Sequence, residues 1–117
     1  MNTTAKGNYG EELACQFLRE QGYKIIERNF RIRGGEIDII ALDGQTLAYV
    51  EVKTRTQKIF GTPEESVTFH KIRFLQRAAK FYRNSRRNLP ELERIDVLSI
   101  DLEPKVPHFK LIKNAGF

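Results

Sequence analysis

The first regular pattern along the chain predicts a helix. Four apolar residues recur at the spacing that places side chains on one face of a helix: Leu13, Ala14, Phe17 and Leu18. Gly22 follows at the position where a C-terminal cap would stand. We therefore predict a first helix over about residues 9–21.

Three strands are predicted next, by runs rich in β-branched and aromatic residues. They cover residues 23–30, 36–42 and 46–54. The last two runs are joined around Asp43-Gly44, a dipeptide that is typical of hairpin turns. The pattern thus indicates that the second and third strands pair directly.

A second helix and two further strands complete the predicted order. Apolar spacing predicts the helix from about residue 68 to residue 85, with Thr68 as its N-cap. Residues 62–65 also resemble a capping box, so an earlier start stays open. Strands at residues 94–102 and near residues 108–112 follow. The predicted order is α, three strands, α, two strands.

The predicted hairpin gathers charged residues on one face. Turns of two or of four residues are both compatible with the sequence, and either register pairs even-numbered with odd-numbered positions. Five side chains then project from one side: Glu36, Asp38, Tyr49, Glu51 and Lys53. The other side is predicted to be core and carries Ile37, Ile39, Ala41, Ala48, Val50 and Val52. Because the charged side also becomes apolar toward the turn, the polar cluster is expected at the open end of a sheet that is covered on both faces.

Composition limits the class of protein and of site. The chain has 117 residues and a mass of 13.6 kDa, which fits a single domain over residues 1–117. No apolar run approaches the roughly 20 residues that span a bilayer, and the first residues lack the apolar core of a signal peptide. We expect a cytoplasmic protein with no membrane partner. Cys15 is the only cysteine, which excludes an internal disulfide and a cysteine-based zinc site. Any metal would sit on oxygen ligands, which favours magnesium, manganese or calcium.

Positive charge is concentrated in the second half of the chain. The net charge is +5, but residues 1–67 carry 9 basic and 10 acidic side chains, whereas residues 68–117 carry 11 and 5. No acid interrupts the basic residues between Lys71 and Arg87. Such a field attracts phosphate backbones, although an anionic lipid surface or a solvated helix face would give the same pattern.

The acidic cluster on the hairpin has two interpretations. It is an ordinary solvated strand face with Lys53 as counterion, or it is a cation site. Three carboxylates on neighbouring strand positions repel one another unless a positive charge lies among them, and one lysine does not balance three acids. Asp38 and Glu51 are close enough in either register to share a divalent cation, which favours a catalytic metal site.

In each predicted helix, some charged residues point toward the sheet and others point toward solvent. In the first helix Glu12 points away from the apolar stripe, whereas Glu11 lies at its edge and can reach the sheet or simply favour the helix N-terminus. In the second helix the predicted buried stripe consists of Ile72, Leu75, Ala78, Ala79 and Tyr82. Three basic residues lie opposite it, as phosphate contacts or as a solvated face: Arg73, Arg77 and Lys80. Lys71 points back toward the sheet, where it reaches the site or packs its stem on the core edge.

Together these residues resemble a known nuclease superfamily. Asp38, followed on the next strand by Glu51-Val52-Lys53 and preceded by a helix with Glu11, resembles the PD-(D/E)xK pattern. Ile37 stands where that pattern has its nominal proline. A longer match to the bacterial YraN family, from Gly7 to about Leu102, rests on Gly10-Glu11 with Ala14, Gly22-Tyr23, Arg28-Asn29, Gly35-Glu36-Ile37-Asp38-Ile39-Ile40-Ala41, Val50-Glu51-Val52-Lys53 and Arg94-x-Asp96.

The resemblance implies a fold and a set of roles. It implies an α/β restriction-endonuclease-like domain with three layers, a mixed sheet flanked by helices and the order αβββαββ. Asp38, Glu51 and the carbonyl of Val52 would bind Mg²⁺ or Mn²⁺, Lys53 would be the catalytic lysine, and Glu11 would assist. Because Lys53 lies beside carboxylates it should stay protonated, which favours an electrostatic role over that of a base.

The expected activity is metal-dependent hydrolysis of phosphodiester bonds in nucleic acid. The resemblance extends to archaeal Holliday junction resolvases, which implies structured or branched DNA in preference to RNA. The nucleic acid would contact Lys71, Arg73, Arg77 and Lys80. A nucleic-acid-binding module without independent catalysis and a protein-interaction adaptor stay open as alternatives, as does a homodimer.

Overall fold

Two helices and five strands form the described part of the chain. The computed structural model describes residues 3–55, 67–102 and 105–116. The elements are α1 (Thr3–Glu20), β1 (Lys24–Ile32), β2 (Gly35–Asp43), β3 (Thr46–Arg55), α2 (Phe69–Ser85), β4 (Leu92–Asp101) and β5 (His108–Ile112). The predicted order αβββαββ is confirmed. The alternative start of the second helix at residues 62–65 lies outside the described residues.

The five strands form one mixed sheet in the order β1-β2-β3-β4-β5. β3 and β4 are parallel, and every other neighbouring pair is antiparallel. A parallel pair requires a crossover, and α2 lies in the connection between β3 and β4. The helices cover opposite faces of the sheet, so the expected three-layer α/β architecture is confirmed and is consistent with a restriction-endonuclease-like core.

Helix α1 ends as predicted but begins earlier. Gly22 adopts φ +94°, and the amide of Tyr23 donates a 2.9 Å hydrogen bond to the Leu18 carbonyl, which closes a Schellman cap. The helix starts at Thr3, six residues before the predicted start, because helical hydrogen bonding extends beyond the packed stripe once the helix is nucleated. A side chain at Gly10 would collide with Thr54, so glycine lets α1 approach β3 closely there.

Helix α2 begins where the sequence predicts. The hydroxyl of Thr68 accepts a hydrogen bond of 3.2 Å from the amide of Lys71, which confirms Thr68 as the N-cap. The buried face includes Phe74, which the predicted stripe omitted, whereas Ile72 is only partly buried. In the part of the chain that the structure describes, neither helix has the length and apolarity needed to cross a bilayer.

The sheet separates two cores. The first lies against α1 and contains Ala14, Cys15, Leu18, Tyr23, Ile39, Ala41, Ala48, Val50, Leu98 and Ile100. The second lies against α2 and contains Ile37, Ile40, Leu47, Tyr49, Phe74, Leu75, Ala78, Ala79, Tyr82 and Ile95. Apolar residues therefore cover both faces of the sheet, as the sequence predicts.

The prediction that Ile37 shares a face with Ile39 is wrong. Ile39 belongs to the core beneath α1, whereas Ile37 belongs to the core beneath α2. β1 and β2 pair at Arg28–Ile39 and again at Phe30–Ile37, and Asn29 between these pairs has a left-handed backbone with φ +55°. The alternation of side chains is broken at this point, which lies beside Asp38 on β2.

The β2–β3 hairpin adopts the register predicted for the four-residue turn, although Asp43 and Thr46 also pair and leave only residues 44–45 between the strands. Leu42 pairs with Leu47, and the pairing continues to Ile39 and Val50, where it ends. In this register position 38 lies level with position 51. The ladder therefore stops immediately before the polar cluster, and the two strands part at the end of the hairpin that carries the acids.

Candidate functional site

Asp38 occupies the gap that opens between β2 and β3. Its Oδ2 accepts a 2.8 Å hydrogen bond from the backbone amide of Val52. The last paired residues of the two strands are Ile39 and Val50, so the carboxylate replaces the strand partner that Val52 would otherwise have. The amide and carbonyl of one residue in an extended strand point to the same neighbour, and the Val52 carbonyl therefore faces the same gap.

Glu51 lies next to Asp38 and is almost fully buried, with 3% of its surface exposed. Burial, together with a hydrogen bond and the negative charge of Glu51, raises the pKa of Asp38 to about 8. The amide of Val52 and the charge of Lys71 act in the opposite direction but do not outweigh these effects. The raised pKa means that the Asp38 carboxyl keeps its proton to higher pH than an exposed aspartate, because burial and the adjacent Glu51 disfavour its charged form.

Lys71 supplies part of that missing charge from the first turn of α2. Its Nζ lies 3.1 Å from Oε2 of Glu51, and it also lies over the ring of Phe74, 5.1 Å from the centroid. The lysine side chain keeps 30% of its surface exposed, whereas that of Glu51 keeps 4%. Oε2 of Glu51 has no well-aligned hydrogen bond among the described residues despite this ion pair. The structure thus places Lys71 toward the sheet, as the helical phase predicts.

A cleft of about 380 Å³ brings most of the predicted site residues together. It is lined by Glu11, Glu36, Asp38, Val52, Lys53 and Thr54. Glu51 contacts Asp38 but is not itself among the lining residues. Lys53 is partly exposed and has no ion pair with any acid in the described residues. Its ammonium charge is therefore available to a group that enters the cleft.

Neighbouring glutamates of α1 differ in exposure as the helical phase predicts. The side chain of Glu11 is 16% exposed and lines the cleft, whereas that of Glu12 is 57% exposed. Both contact Arg28 of β1, with N–O distances of 3.7 Å and 2.6 Å. Arg28 had no predicted role at the site, although the Arg28-Asn29 pair is part of the YraN-like pattern. The signal for it was its place on β1 opposite Ile39, which faces α1.

The acids of the cleft do not form a complete ligand set by themselves. Over residues 3–55, 67–102 and 105–116, no group of three or more His, Cys, Asp or Glu side chains is arranged to hold a metal ion. What the structure brings together is the Asp38–Glu51 pair. Oε1 of Glu11 and Oε2 of Glu36 are buried without a well-aligned hydrogen bond, and each lies near one arginine instead.

The basic residues of α2 and its C-terminal end fall into two groups. Lys71, Arg83 and Arg86 make ion pairs with Glu51, Glu93 and Glu27, at 3.1, 2.8 and 2.9 Å. Three other residues are exposed and have no ion pair with a described acid; we call them the α2 ridge, and they are Arg73, Arg77 and Lys80. The structure therefore separates Lys71, which belongs to the acid site, from the other three predicted nucleic-acid contacts.

Another depression on the described surface lies away from this chemistry. It measures about 670 Å³ and is lined by Leu42, Gly44, Gln45, Asn88, Leu89, Pro90, Glu91 and Leu92. Glu91 is the single ionisable side chain in that lining. Because a reactive site needs converging polar groups, the smaller cleft at Asp38 is the better candidate.

A second buried acid, Asp96, lies in a fully satisfied structural network. It accepts hydrogen bonds from Tyr23, Arg94 and the amide of Asn114, at 2.8, 2.8 and 3.1 Å. Arg94 also contacts Asp43, near the β2–β3 turn. The Arg94-x-Asp96 pattern thus fastens β4 to Tyr23, which follows α1, and to the C-terminal segment at Asn114.

Comparison with known proteins matches the chain to a family over most of its length. Residues 10–100 match the model described as "Uncharacterised protein family UPF0102". A UPF0102 protein of Geobacter metallireducens is 44% identical over 115 residues, 98% of this chain and 94% of its own length. Relatives from Caldicellulosiruptor saccharolyticus and Syntrophomonas wolfei are 44% and 46% identical, over 98% and 93% of this chain and 99% and 95% of their own lengths. With the YraN-like motifs of its sequence, this chain belongs to protein family UPF0102.

Proposed function

We propose that this protein is a metal-dependent endonuclease of the PD-(D/E)xK type. The observation that carries the proposal is the Asp38–Glu51 pair, two adjacent carboxylates at the point where β2 and β3 part. A carboxyl in a cleft whose pKa is raised by burial and by a neighbouring carboxylate is a marker of functional sites, because catalytic and ligand-binding groups are held in such environments. Lys71 offsets only one of the two charges.

The residues present fit a hard divalent cation. Carboxylates and a backbone carbonyl are the donors that Mg²⁺ and Mn²⁺ prefer, and Mg²⁺ commonly takes only one or two carboxylates from the protein. Asp38, Glu51 and the Val52 carbonyl would hold the ion. The ion would supply Lewis-acid stabilisation of charge on the phosphate. Release of the proton held by the acid pair would accompany binding, since only the ionised carboxylates bind a cation.

Lys53 and Glu11 contribute from the two sides of the cleft. Lys53 presents an ammonium group without a described acidic partner, and it stabilises the negative charge that develops on the phosphate in the transition state. Glu11 comes from α1 with its carboxylate partly shielded from solvent. In the proposed role it orients a water or a cation in the cleft, whereas Glu12 remains on the solvent side.

Nucleic acid is the substrate class that the charge distribution supports. The α2 ridge (Arg73, Arg77 and Lys80) presents three cations without acidic partners in the described residues, on the helix whose first turn contacts Glu51. Phosphate backbones bind such surfaces by releasing counterions. We propose DNA in preference to RNA, and structured or branched DNA in particular, on the resemblance to the wider nuclease superfamily.

The test is a cleavage screen with a matched variant. Wild-type protein and Lys53→Ala are incubated with duplex, single-stranded, flapped and four-way DNA and with RNA, each with Mg²⁺, Mn²⁺ or EDTA. We expect cleavage of at least one substrate by the wild type with metal, none in EDTA and none by the variant. Salt-dependent binding without cleavage under any metal would replace the enzyme by a binding module. Cleavage that survives both EDTA and Lys53→Ala would contradict the proposed site.

A further inference from the structure

A second groove lies between the β1–β2 turn and α2. It measures about 520 Å³ and is lined by Ile32, Arg33, Gly34, Arg77 and Phe81. Phe81 is 57% exposed, although it is a large apolar residue on an otherwise basic helix face. Neither the metal site nor the three-layer core accounts for an exposed aromatic ring at this place.

Two glycines bring the β1–β2 turn close to the helix. Gly34 and Gly35 have φ values of +102° and +156°, in the region that favours glycine. A Cβ atom on Gly35 would approach the ring of Phe74 to 3.0 Å, and one on Gly34 would lie 3.3 Å from Nη2 of Arg77. The turn therefore packs directly on α2, which gives the groove its second wall.

The groove combines an aromatic surface with positive charge. Arg33 and Arg77 both line it, and neither makes an ion pair with an acid among the described residues. The guanidinium carbon of Arg77 lies over the ring of Phe74, 5.3 Å from the ring centroid. Arginines gathered beside an exposed ring form the combination that binds a base through its face and a phosphate through its charge.

Shared lining residues relate the groove to the candidate active site. A shallow depression of about 370 Å³, lined by Arg31, Ile32, Gly35 and Glu36, shares Ile32 with the groove. The same depression shares Glu36 with the cleft that contains Asp38. The β1–β2 turn and the start of β2 therefore contribute residues to the groove, to the shallow depression and to the cleft.

We infer that this groove binds an unpaired nucleobase of the nucleic-acid substrate, with the base stacked on Phe81 and its phosphates beside Arg33 and Arg77. The inference rests on the proposed nucleic-acid function and adds a requirement for single-stranded character near the cleavage site. A base inside a duplex is stacked on its neighbours and does not present its face to a protein ring. The groove therefore selects nucleic acid that contains unpaired nucleotides.

Binding of single strands and duplexes by Phe81→Ser tests the inference. Affinities of the full chain are measured in EDTA for a single-stranded oligonucleotide that carries a fluorescent adenine analogue, and for a blunt duplex of the same sequence. Loss of one stacked base should weaken single-strand binding by about 5- to 100-fold. Duplex affinity should stay nearly constant, and the fluorescence quenching on binding should be lost. Phe81→Tyr, which keeps a stacking ring, should retain both.

Phe69→Ser is the matched control. Phe69 is also an exposed phenylalanine of α2, 70% exposed, and it contacts Arg73 but does not line the groove. Its replacement should leave single-strand affinity unchanged. Equal losses in both variants, or unchanged single-strand affinity in Phe81→Ser, would overturn the assignment of the groove as a base-binding site. Neither result would contradict the proposed nuclease activity. A wild type that binds neither form of nucleic acid would overturn the proposed function as well.

Discussion

The backbone amide of Val52 donates a 2.8 Å hydrogen bond to Oδ2 of Asp38, at the point where β2 and β3 stop pairing. A side chain thus completes a hydrogen-bonding group that the strand ladder has released. The contact fixes the carboxylate beside Glu51, and it leaves the Val52 carbonyl turned toward the same gap. The hairpin therefore holds the acids in a fixed arrangement, which is what a cation site requires.

The acid pair should make the metal-free protein less stable as the pH rises. The raised pKa of Asp38, about 8, means that the folded protein keeps a proton that the unfolded chain releases near pH 4. Between these values the folded state binds more protons than the unfolded state, so the free energy of unfolding falls with increasing pH. Urea denaturation in EDTA at pH values from 5 to 8.5 measures this slope, with about 1.4 kcal/mol per pH unit as its upper limit for one group.

Asp38→Asn is the variant that isolates this effect. The amide oxygen of asparagine can still accept the hydrogen bond from Val52, but the titrating charge is gone. We expect the metal-free variant to be at least as stable as the wild type at pH 8 and to lose most of the pH slope. A large loss of stability at both ends of the pH range would instead identify Asp38 as an ordinary structural residue.

The two glutamates of α1 provide a matched pair for activity. Glu11→Gln should reduce metal-dependent cleavage, because Glu11 lines the cleft, whereas Glu12→Gln should leave the rate within about twofold of the wild type. Both residues contact Arg28, so loss of that contact is common to the two variants. Equal rates for the two variants would show that Glu11 does not act at the site.

Lys71 and Glu51 should show a large coupling energy in a double-mutant cycle. Lys71→Met leaves the buried Glu51 carboxylate without its cation, and we expect a loss of about 1–3 kcal/mol in the metal-free protein, less than for a fully buried pair because Lys71 is partly exposed. Adding Glu51→Gln should recover most of this loss. Chemical denaturation of both single variants and the double variant gives the coupling energy.

Arg83 of α2 and Glu93 of β4 serve as the reference pair. Arg83 is exposed to the same extent as Lys71, but Glu93 is 29% exposed, whereas Glu51 is 4% exposed. Arg83→Met with Glu93→Gln should therefore give a coupling below about 1 kcal/mol. If the two cycles give the same energy, the burial of Glu51 has no energetic consequence and the proposed charge imbalance is absent.

Variants of Lys53 and of the α2 ridge should affect different properties, the first the cleavage rate and the second the affinity for nucleic acid. Lys53→Ala should abolish cleavage and change nucleic-acid affinity only modestly, because its charge acts mainly in the transition state. Arg73→Ala with Arg77→Ala should weaken binding and lower the slope of log affinity against log salt by about 2. An unchanged slope would mean that the ridge is a solvated face and that nucleic acid docks elsewhere.

The sequence predicted the elements of the fold because each carries its own local signal. Apolar spacing, the glycine after α1 and the threonine before α2 placed the elements to within a few residues in most cases. Helical phase also placed Glu11 and Lys71 toward the sheet and the α2 ridge toward solvent. These predictions depend only on the geometry of one element, which the sequence determines directly.

The sequence could not predict features that depend on contact between elements. The change of face between Ile37 and Ile39 coincides with a left-handed backbone at Asn29 on the neighbouring strand, and the sequence of β2 alone does not show it. The bond from Val52 to Asp38 exists only because the ladder ends there, which strict alternation does not reveal. The groove at Phe81 likewise needs the close approach of the Gly34–Gly35 turn to α2.

Binding of Mn²⁺ to the wild type and to Asp38→Asn at pH 8 tests the cation site most directly. Asp43→Asn is the control, since Asp43 lies at the other end of β2 in ion pairs with Arg94 and Lys113. Calorimetric titration should show saturable binding with proton release for the wild type and for Asp43→Asn, and none for Asp38→Asn. Equal Mn²⁺ binding by all three proteins would contradict the assignment of Asp38 and Glu51 as a metal site.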